Sequence, residues 1–180
     1  MPSPVGHALA GLALHAIAAR DHQDFWDARR LALVVCAAGA PDLDLLWQWV
    51  DGHNHHQAQS HGVGSALLAG LLVAGAARLA GTLRWQRLGL ACGAAWLSHV
   101  VLDFLNADAS LPIGLMALWP FDAGYYKSQW PVLLAIDRTG SWAALGDNAL
   151  AVAWECVLLG PLVAAAVRRW HRRCVLVGSS

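Results

Sequence analysis

The sequence predicts an all-α protein: a polytopic helical membrane bundle of about five helices, built as a single domain over residues 1–180. Hydrophobic residues make up 57% of the chain, and charged residues only 13%. That charged fraction is about half of the ~25% that is usual for a soluble domain. Long apolar runs alternate with short polar stretches that contain arginines. Together these observations favour helices that cross a lipid bilayer.

The first two apolar runs each carry polar residues at a defined place. Ser3 is a suitable N-cap for a helix over about 5–19, which has His7 in its first turn. The second run, 31–50, is interrupted by Pro41-Asp42-Leu43-Asp44. Proline inside a helix frees a carbonyl and kinks the axis. We therefore expect a polar pocket at this point of the second helix.

The next two helices follow a loop rich in histidine, 51–60. Ser60 can cap the third helix, which places His61 at its start, and this helix runs to about residue 80. A fourth helix is predicted over about 88–105. This fourth helix carries His99 and Asp103 within its apolar sequence.

The end of the chain combines an irregular segment with one more helix. Residues 106–148 are rich in Trp, Pro and Gly, and such amphipathic aromatic side chains favour the membrane–water interface. The last apolar helix, about 149–167, is followed by the arginine-rich stretch 168–173. Ten of the twelve Lys and Arg residues follow the first, third and fifth helices. The positive-inside rule then predicts five spans with the N-terminus outside, although the first helix is short for a span.

One pair of residues on the fourth helix has the spacing of metal ligands. His99 and Asp103 are four residues apart, so their side chains lie on the same face of a helix. An imidazole and a carboxylate placed in this way can bind one zinc ion. The alternative is a buried His–Asp pair that only joins helices.

Further His and Asp residues lie toward the same, outer end of the predicted bundle. A charged residue near the bilayer centre costs roughly 2.5–3.5 kcal/mol, and a bound dication would offset that cost. One catalytic zinc has three protein ligands and a water. A larger set implies either two ions that share a carboxylate or residues that only orient the ligands. The predicted metal ligands are His7, Asp42, Asp44, His56, His61, His99 and Asp103.

The remaining polar residues of the apolar regions are assigned other roles. The loop histidines His53 and His55 are expected to be solvated, and His15 is expected to pack within its helix. His22 and His171 lie beside arginine-rich stretches and are expected on the cytoplasmic side. Glu155 is alone in the last helix, where it either lines the pocket or pairs with a polar neighbour. The histidines outside the predicted site are His15, His22, His53, His55 and His171.

Five short motifs follow one another along the first 121 residues. They are Pro4-Val5-Gly6-His7, Pro41-Asp42-Leu43-Asp44, His56-Gln57-Ala58-Gln59-Ser60-His61, Leu97-Ser98-His99 with Asp103, and Leu118-Trp119-Pro120-Phe121. Their order resembles the YdjM-like family, described as LexA-regulated, inner-membrane, metal-dependent hydrolases. In the third motif the family usually has Arg, Thr and Ser where this chain has Gln57, Ser60 and Gly62.

The resemblance implies a fold and a site. The family is thought to be related to zinc-dependent phospholipase C, which implies a phospholipase C-like helical core with a polymetal centre. His99 and Asp103 match its helix pair, and Asp42 or Asp44 matches an upstream Asp. His7, with His56 or His61, matches the rest. The resemblance thus implies one or two Zn²⁺ ions, or another divalent metal, in a multi-pass protein of the bacterial inner (cytoplasmic) membrane.

The sequence and the resemblance together predict a membrane-bound, metal-dependent hydrolase. Its substrate is predicted to be a phosphoester of a membrane lipid or lipid-like molecule at the outer interface, with Asp42 or Asp44 accepting the proton. Nucleic acid is disfavoured, because the outer side offers only Lys127 and Arg138. The alternatives are a non-catalytic metal-binding or metal-transport membrane protein and a purely structural bundle.

Overall fold

The structure is a computed structural model that describes residues 1–108, 111–139 and 141–178. Its regular structure within these ranges is helical, which confirms the predicted all-α class, and two isolated β-bridges tie the long irregular segment together. Two 3₁₀ turns, Ala40–Leu43 and Gln59–His61, stand between the helices. The α-helices are α1 (Pro4–Ala18), α2 (His22–Trp26), α3 (Ala28–Gly39), α4 (Asp44–Asp51), α5 (Val63–Leu79), α6 (Trp85–Phe104) and α7 (Trp142–Gly178).

Small residues let the central helices pack closely. Ala38 of α3 and Ala95 of α6 are fully buried at the centre of the core. Where α5 meets α6, a Cβ on Gly89 would lie 2.6 Å from the carbonyl oxygen of Gly70 and 2.5 Å from the Cβ of Ala74. Contacts this short require glycine, and they are typical of apolar helices that associate through small residues.

The proline of the second apolar run breaks the helix. The helix α3 ends at Gly39, a 3₁₀ turn covers Ala40–Leu43, and α4 begins at Asp44. Pro41 lies in the first turn of the 3₁₀ segment, where its missing N–H costs no helical hydrogen bond. The predicted interruption is therefore confirmed, and it places Asp42 and Asp44 on a turn in the interior of the protein.

The start of the third predicted helix is wrong by two residues. The N-cap of α5 is Gly62, and His61 belongs to the preceding 3₁₀ turn. Ser60 does not cap the helix, because its hydroxyl donates to Asp44 Oδ2 at 2.6 Å. The Ser60 side chain, expected to cap the start of a helix, instead links the Gln59–His61 turn to Asp44 beside the polar interior.

The last helix is longer than predicted at both ends. It starts at Trp142 rather than near 149, since the hydroxyl of Ser141 accepts a hydrogen bond from the N–H of Ala144 at 3.1 Å. It also continues through 168–173, because arginine is a good helix former. Among its described parts, the irregular segment predicted over 106–148 therefore ends at Ser141.

The surface of the bundle exposes many apolar side chains, whereas its interior contains polar ones. Leu71 of α5 and Leu90 of α6 are 71% and 74% exposed, whereas histidines and carboxylates are buried between the helices. Among the described helices, α7 over Trp142–Val175 is long and apolar enough to cross a membrane, while α1 and α5 are apolar but shorter. The predicted arrangement of five spans stays a prediction.

Candidate metal centre

Four ligand atoms from separate parts of the chain meet in the interior. The Nε2 atoms of His61 and His99 are 3.1 Å apart. Asp103 Oδ2 lies 3.2 Å from the first and 3.4 Å from the second of these nitrogens. Asp42 Oδ1 lies 3.6 Å and 3.4 Å from the same two atoms. We call this set the four-atom cluster.

The separations within the four-atom cluster are those of a metal site. A tetrahedral zinc ion with bonds of about 2.0–2.1 Å has ligand atoms about 3.3–3.4 Å apart. The five separations given above, 3.1–3.6 Å, bracket this value. Two imidazole nitrogens and two carboxylate oxygens are also ligands that zinc prefers. The residues present therefore fit a zinc-type ion in both geometry and chemistry.

The break between α3 and α4 helps to orient His99. The last carbonyls of a helix have no partner within that helix, and Ala38 lies in the last turn of α3. Its carbonyl oxygen is 2.8 Å from His99 Nδ1. A backbone carbonyl can only accept, so Nδ1 carries the proton and the lone pair of Nε2 points into the four-atom cluster.

A carboxylate orients His61 in the same way. His61 Nδ1 lies 3.2 Å from Asp44 Oδ2 and 3.0 Å from the hydroxyl oxygen of Ser60. Trp96 fixes this turn, because its indole N–H donates to the carbonyl of Ser60 at 2.8 Å. Carboxylate–histidine–metal arrangements of this kind are typical of metal centres. Asp44 therefore lies behind His61 and not among the four atoms.

Several buried polar atoms near the cluster have no hydrogen-bond partner among the described residues. They include Asp42 Oδ1, both oxygens of Asp103 and both ring nitrogens of His7. Leaving a buried polar group unsatisfied costs about 1–3 kcal/mol, and more when it is charged. Because these atoms converge on one place and are mostly acceptors, a bound cation would satisfy them together.

The charges of the site point to the same conclusion. Asp42, Asp44 and Asp103 form ion pairs only with histidines, within the described residues. Burial lowers the pKa of His61, but the nearby carboxylates of Asp103 and Asp42 outweigh it and hold that pKa well above its ordinary value. The three carboxylates therefore favour a positive charge beside them, which a bound metal ion would supply.

His7 extends the site on the far side of Asp103. Its ring stacks on that of His99, with centroids 3.8 Å apart. Its Nε2 lies 3.6 Å from Asp103 Oδ1, the oxygen that the four-atom cluster does not use. The Asp103 carboxylate thus faces ligands on both of its oxygens, as a carboxylate bridging two ions would.

His56 belongs to the layer behind the cluster. Its Nδ1 lies 2.9 Å from Asp44 Oδ1, and its ring meets that of His61 edge to face. Between His56 and His61, it is His61 that contributes an atom to the four-atom cluster. Asp44, His56 and His61 form a second group that could hold a metal ion.

The other histidines and Glu155 lie away from the cluster. His53 and His55 are exposed beside Asp51, and His15 is buried with its Nε2 2.9 Å from the carbonyl of Phe25. Glu155 is buried and accepts hydrogen bonds from the backbone N–H and the hydroxyl of Ser3, at the N-terminus of α1. It pairs with a polar neighbour, the second of the two roles considered for it.

Sequence reasoning missed three parts of the site. The Ala38 carbonyl, the Ser60 hydroxyl and the Trp96 indole orient the ligands without binding a metal. Ser60 had a detectable signal, since it precedes a predicted ligand. The other two depend on how α6 meets α3 and the Gln59–His61 turn, which local spacing does not reveal.

Fold and site together define an all-helical protein with an apolar surface and a buried His–Asp cluster that could hold a metal ion. The chain belongs to the YdjM inner membrane protein family, whose family model matches residues 1–173. This match confirms the resemblance carried by the five motifs. No curated protein and no solved structure matches the chain, and the similarity to phospholipase C stays a prediction.

Proposed function

We propose that this protein is a membrane-bound, metal-dependent hydrolase that cleaves a phosphoester of a lipid-like substrate at the membrane interface. The observation that carries the proposal is the four-atom cluster, whose separations of 3.1–3.6 Å fit a zinc-type ion. The family contributes the membrane location. A phospholipase C-like core, five spans and a site on the non-cytoplasmic side are parts of the same proposal.

The residues divide into ligands and residues that orient them. His61, His99, Asp42 and Asp103 would hold one ion, and His7 with the second oxygen of Asp103 would contribute to another. The chemistry that such an ion supplies is Lewis acidity, which polarises a phosphoryl oxygen and lowers the pKa of water toward neutrality. Zinc suits the nitrogen and oxygen ligands, although another divalent metal would also fit.

Asp42 is the better placed of the two predicted proton acceptors. Its side chain is 17% exposed, whereas those of His61, His99 and Asp103 are completely buried. Asp42 is therefore the most accessible of these four residues, and a carboxylate there can take a proton from water. Asp44 is engaged by Ser60 and two histidines, so its role is to orient His61.

The surroundings of Asp42 favour a lipid-like substrate. Leu43 follows Asp42 directly and Leu46 lies four residues after it, and these two side chains are 62% and 48% exposed. The two basic residues predicted on this side are both near Asp108: Lys127 donates to its backbone carbonyl, and Arg138 lies 3.8 Å from its carboxylate. An apolar approach without a basic patch fits a lipid better than a nucleic acid.

A non-catalytic metal-binding or metal-transport protein is the second candidate. One observation favours it, because four protein ligands would complete a tetrahedral site, as in structural zinc centres. A catalytic centre instead keeps one position open. The two candidates therefore differ in whether Asp42 stays bound to the metal or is free to accept a proton.

The test combines metal content with hydrolysis. Protein purified without chelators is loaded with zinc and incubated with a short-chain phosphatidylglycerol, and the release of a water-soluble phosphate ester is measured. The proposal expects release that ends in Asp42→Asn and persists in His53→Ala, an exposed histidine of the same region. Zinc-loaded protein that releases no phosphate ester would favour the non-catalytic alternative.

A further inference from the structure

We propose that the protein holds one anionic phospholipid at the arginine end of α7, with one of its two acyl chains in a groove between α1, α6 and α7. This site lies on the C-terminal side of Glu155 along α7, from Leu159 onward, and does not rest on the proposed hydrolase function. The inference rests on two adjoining features of the surface. One is the apolar groove, and the other is a cavity lined by four arginines of α7, which we call the cradle. The groove and the cradle share lining residues.

The groove is large and almost entirely apolar. It has a volume of about 610 Å³ and is lined by side chains from α1, α6 and α7. Leu9 and Ile17 mark its extent along α1, which at 1.5 Å per residue is about 12 Å. Its wall on α7 runs from Leu159 to Arg169, or about 15 Å. This elongated shape suits a hydrocarbon chain that lies along the helices.

The cradle continues from the arginine end of the groove. It has a volume of about 560 Å³ and is lined by four arginines of α7 together with Pro161, Ala164 and Ala165. Arg169 and Ala165 line the groove as well. An apolar channel that opens directly among guanidinium groups matches the division of a phospholipid into an acyl chain and an anionic headgroup. The four arginines are Arg168, Arg169, Arg172 and Arg173.

No acidic side chain neutralises these arginines in the part of the chain that the structure describes. They are exposed, and they form two pairs spaced four residues apart on one helix, where like charges repel. Arginine binds phosphate with two parallel hydrogen bonds. A phosphate headgroup would therefore relieve the repulsion and complete the cradle.

Packing holds this part of α7 against the rest of the protein. Trp170 is buried, and its ring stacks on that of Phe25 with centroids 3.8 Å apart. His22 of α2 meets the same tryptophan edge to face. The part of the α7 backbone that carries the arginines on either side of Trp170 is therefore held beside the groove.

The occupant is identified by chemistry as a phospholipid with net negative charge, for which phosphatidylglycerol is the probe. Basic residues next to a membrane span attract anionic lipids, and the groove adds an acyl-chain site to that attraction. Inorganic phosphate or glycerol 3-phosphate would fill the cradle alone. A zwitterionic lipid would fill the groove but gain less from the arginines.

The experiment is native mass spectrometry of the detergent-solubilised protein. Dioleoyl phosphatidylglycerol, dioleoyl phosphatidylcholine and glycerol 3-phosphate are titrated separately. We expect one tightly bound phosphatidylglycerol, phosphatidylcholine binding at least ~10-fold weaker, and no competition by glycerol 3-phosphate at equal concentration. Each arginine is expected to contribute roughly fivefold, so Arg169→Gln with Arg173→Gln should weaken phosphatidylglycerol binding roughly 25-fold.

Matched variants separate a defined site from general attraction. Arg29 is exposed and follows another predicted span on the same side, so Arg29→Gln should leave binding unchanged. Ala165→Trp fills the junction of groove and cradle and should weaken binding, whereas Ala153→Trp, on an exposed part of α7 outside both cavities, should not. Metal content should be the same in all four variants.

Three outcomes would overturn the inference. The first is equal affinity of the unaltered protein for the two lipids, a comparison that needs no variant. The second is an effect of Arg29→Gln as large, per arginine replaced, as that of the double Arg169→Gln, Arg173→Gln variant, which would indicate general charge attraction. The third is unchanged binding in a folded Ala165→Trp variant, which would leave the groove without a role.

Discussion

Replacing Asp103 by asparagine should remove most of the stability that a metal ion gives to this protein. Asp103 Oδ2 contacts the Nε2 atoms of His61 and His99 at 3.2 Å and 3.4 Å, and Oδ1 faces His7. An amide has one oxygen and no charge, so it cannot serve both sides. Residues behind the ligands contribute ~10–100-fold to metal affinity, and a direct ligand should therefore contribute more than about 100-fold.

The expected change in melting temperature follows from mass action. Zinc at about 1,000 times its dissociation constant stabilises the folded state by about 4.1 kcal/mol. If Asp103→Asn weakens binding by about 100-fold, the same zinc concentration gives about 1.4 kcal/mol. For a chain of this length 1 kcal/mol corresponds to roughly 2–4 °C. Zinc should raise the melting temperature of the unaltered protein by roughly 8–16 °C, and that of the variant by roughly 3–6 °C.

The assay is thermal unfolding in detergent with and without zinc, and the matched control is Asp44→Asn. Asp44 is also a carboxylate near His61, but it faces Nδ1 and not the four-atom cluster. The control should keep its bound metal, with an affinity lowered only ~10–100-fold. An Asp103→Asn protein whose zinc-dependent shift equals that of the unaltered protein would refute the reasoning and make the His99–Asp103 pair structural.

Three further predictions concern topology and packing. In a background whose native cysteines are replaced by serine, His53→Cys should react with a membrane-impermeant thiol reagent in intact cells and Gln86→Cys should not; the reverse pattern would place the site on the cytoplasmic side. Glu155→Gln should destabilise the fold by about 1–3 kcal/mol, because its carboxylate accepts two hydrogen bonds at the start of α1; unfolding at the unaltered temperature would contradict this. Gly64→Ala should lower the free energy of unfolding by about 1–3 kcal/mol, because a Cβ there would lie 2.4 Å from a proline ring. Its control is Gly75→Ala, which meets open space and should not destabilise the fold. Equal melting temperatures for these two variants would contradict the prediction.

The candidate metal-binding face of α6 could be predicted from sequence because the placement of His99 and Asp103 depends only on helix geometry. His99 and Asp103 are four residues apart, and their side chains meet the same ligand atoms in the structure. Asp42 and Asp44 were both assigned to the site, but their separate roles could not be predicted. Residues two apart on a helical turn point in different directions, and only the packing of the 3₁₀ turn shows which one reaches the cluster.

The errors in helix boundaries have two different causes. Ser60 has the side chain of an N-cap residue, yet a buried carboxylate 2.6 Å away takes its hydroxyl. The end of α7 contains four arginines, which mark the edge of an apolar span but do not end a helix. At Ser60 a tertiary contact outweighs local preference, whereas at the end of α7 the helix propensity of arginine extends the helix beyond the apolar run. The pairing of Glu155 with Ser3, 152 residues apart, likewise depends on tertiary structure.

The central claim is that His61, His99, Asp42 and Asp103 hold a metal ion. Elemental analysis of the protein, purified gently and without chelators, tests it most directly. The account predicts one to two equivalents of transition metal, most simply zinc, and a loss of that metal in a His99→Ala, Asp103→Asn double variant that still folds. Protein that carries no metal and takes up none on titration would contradict the account.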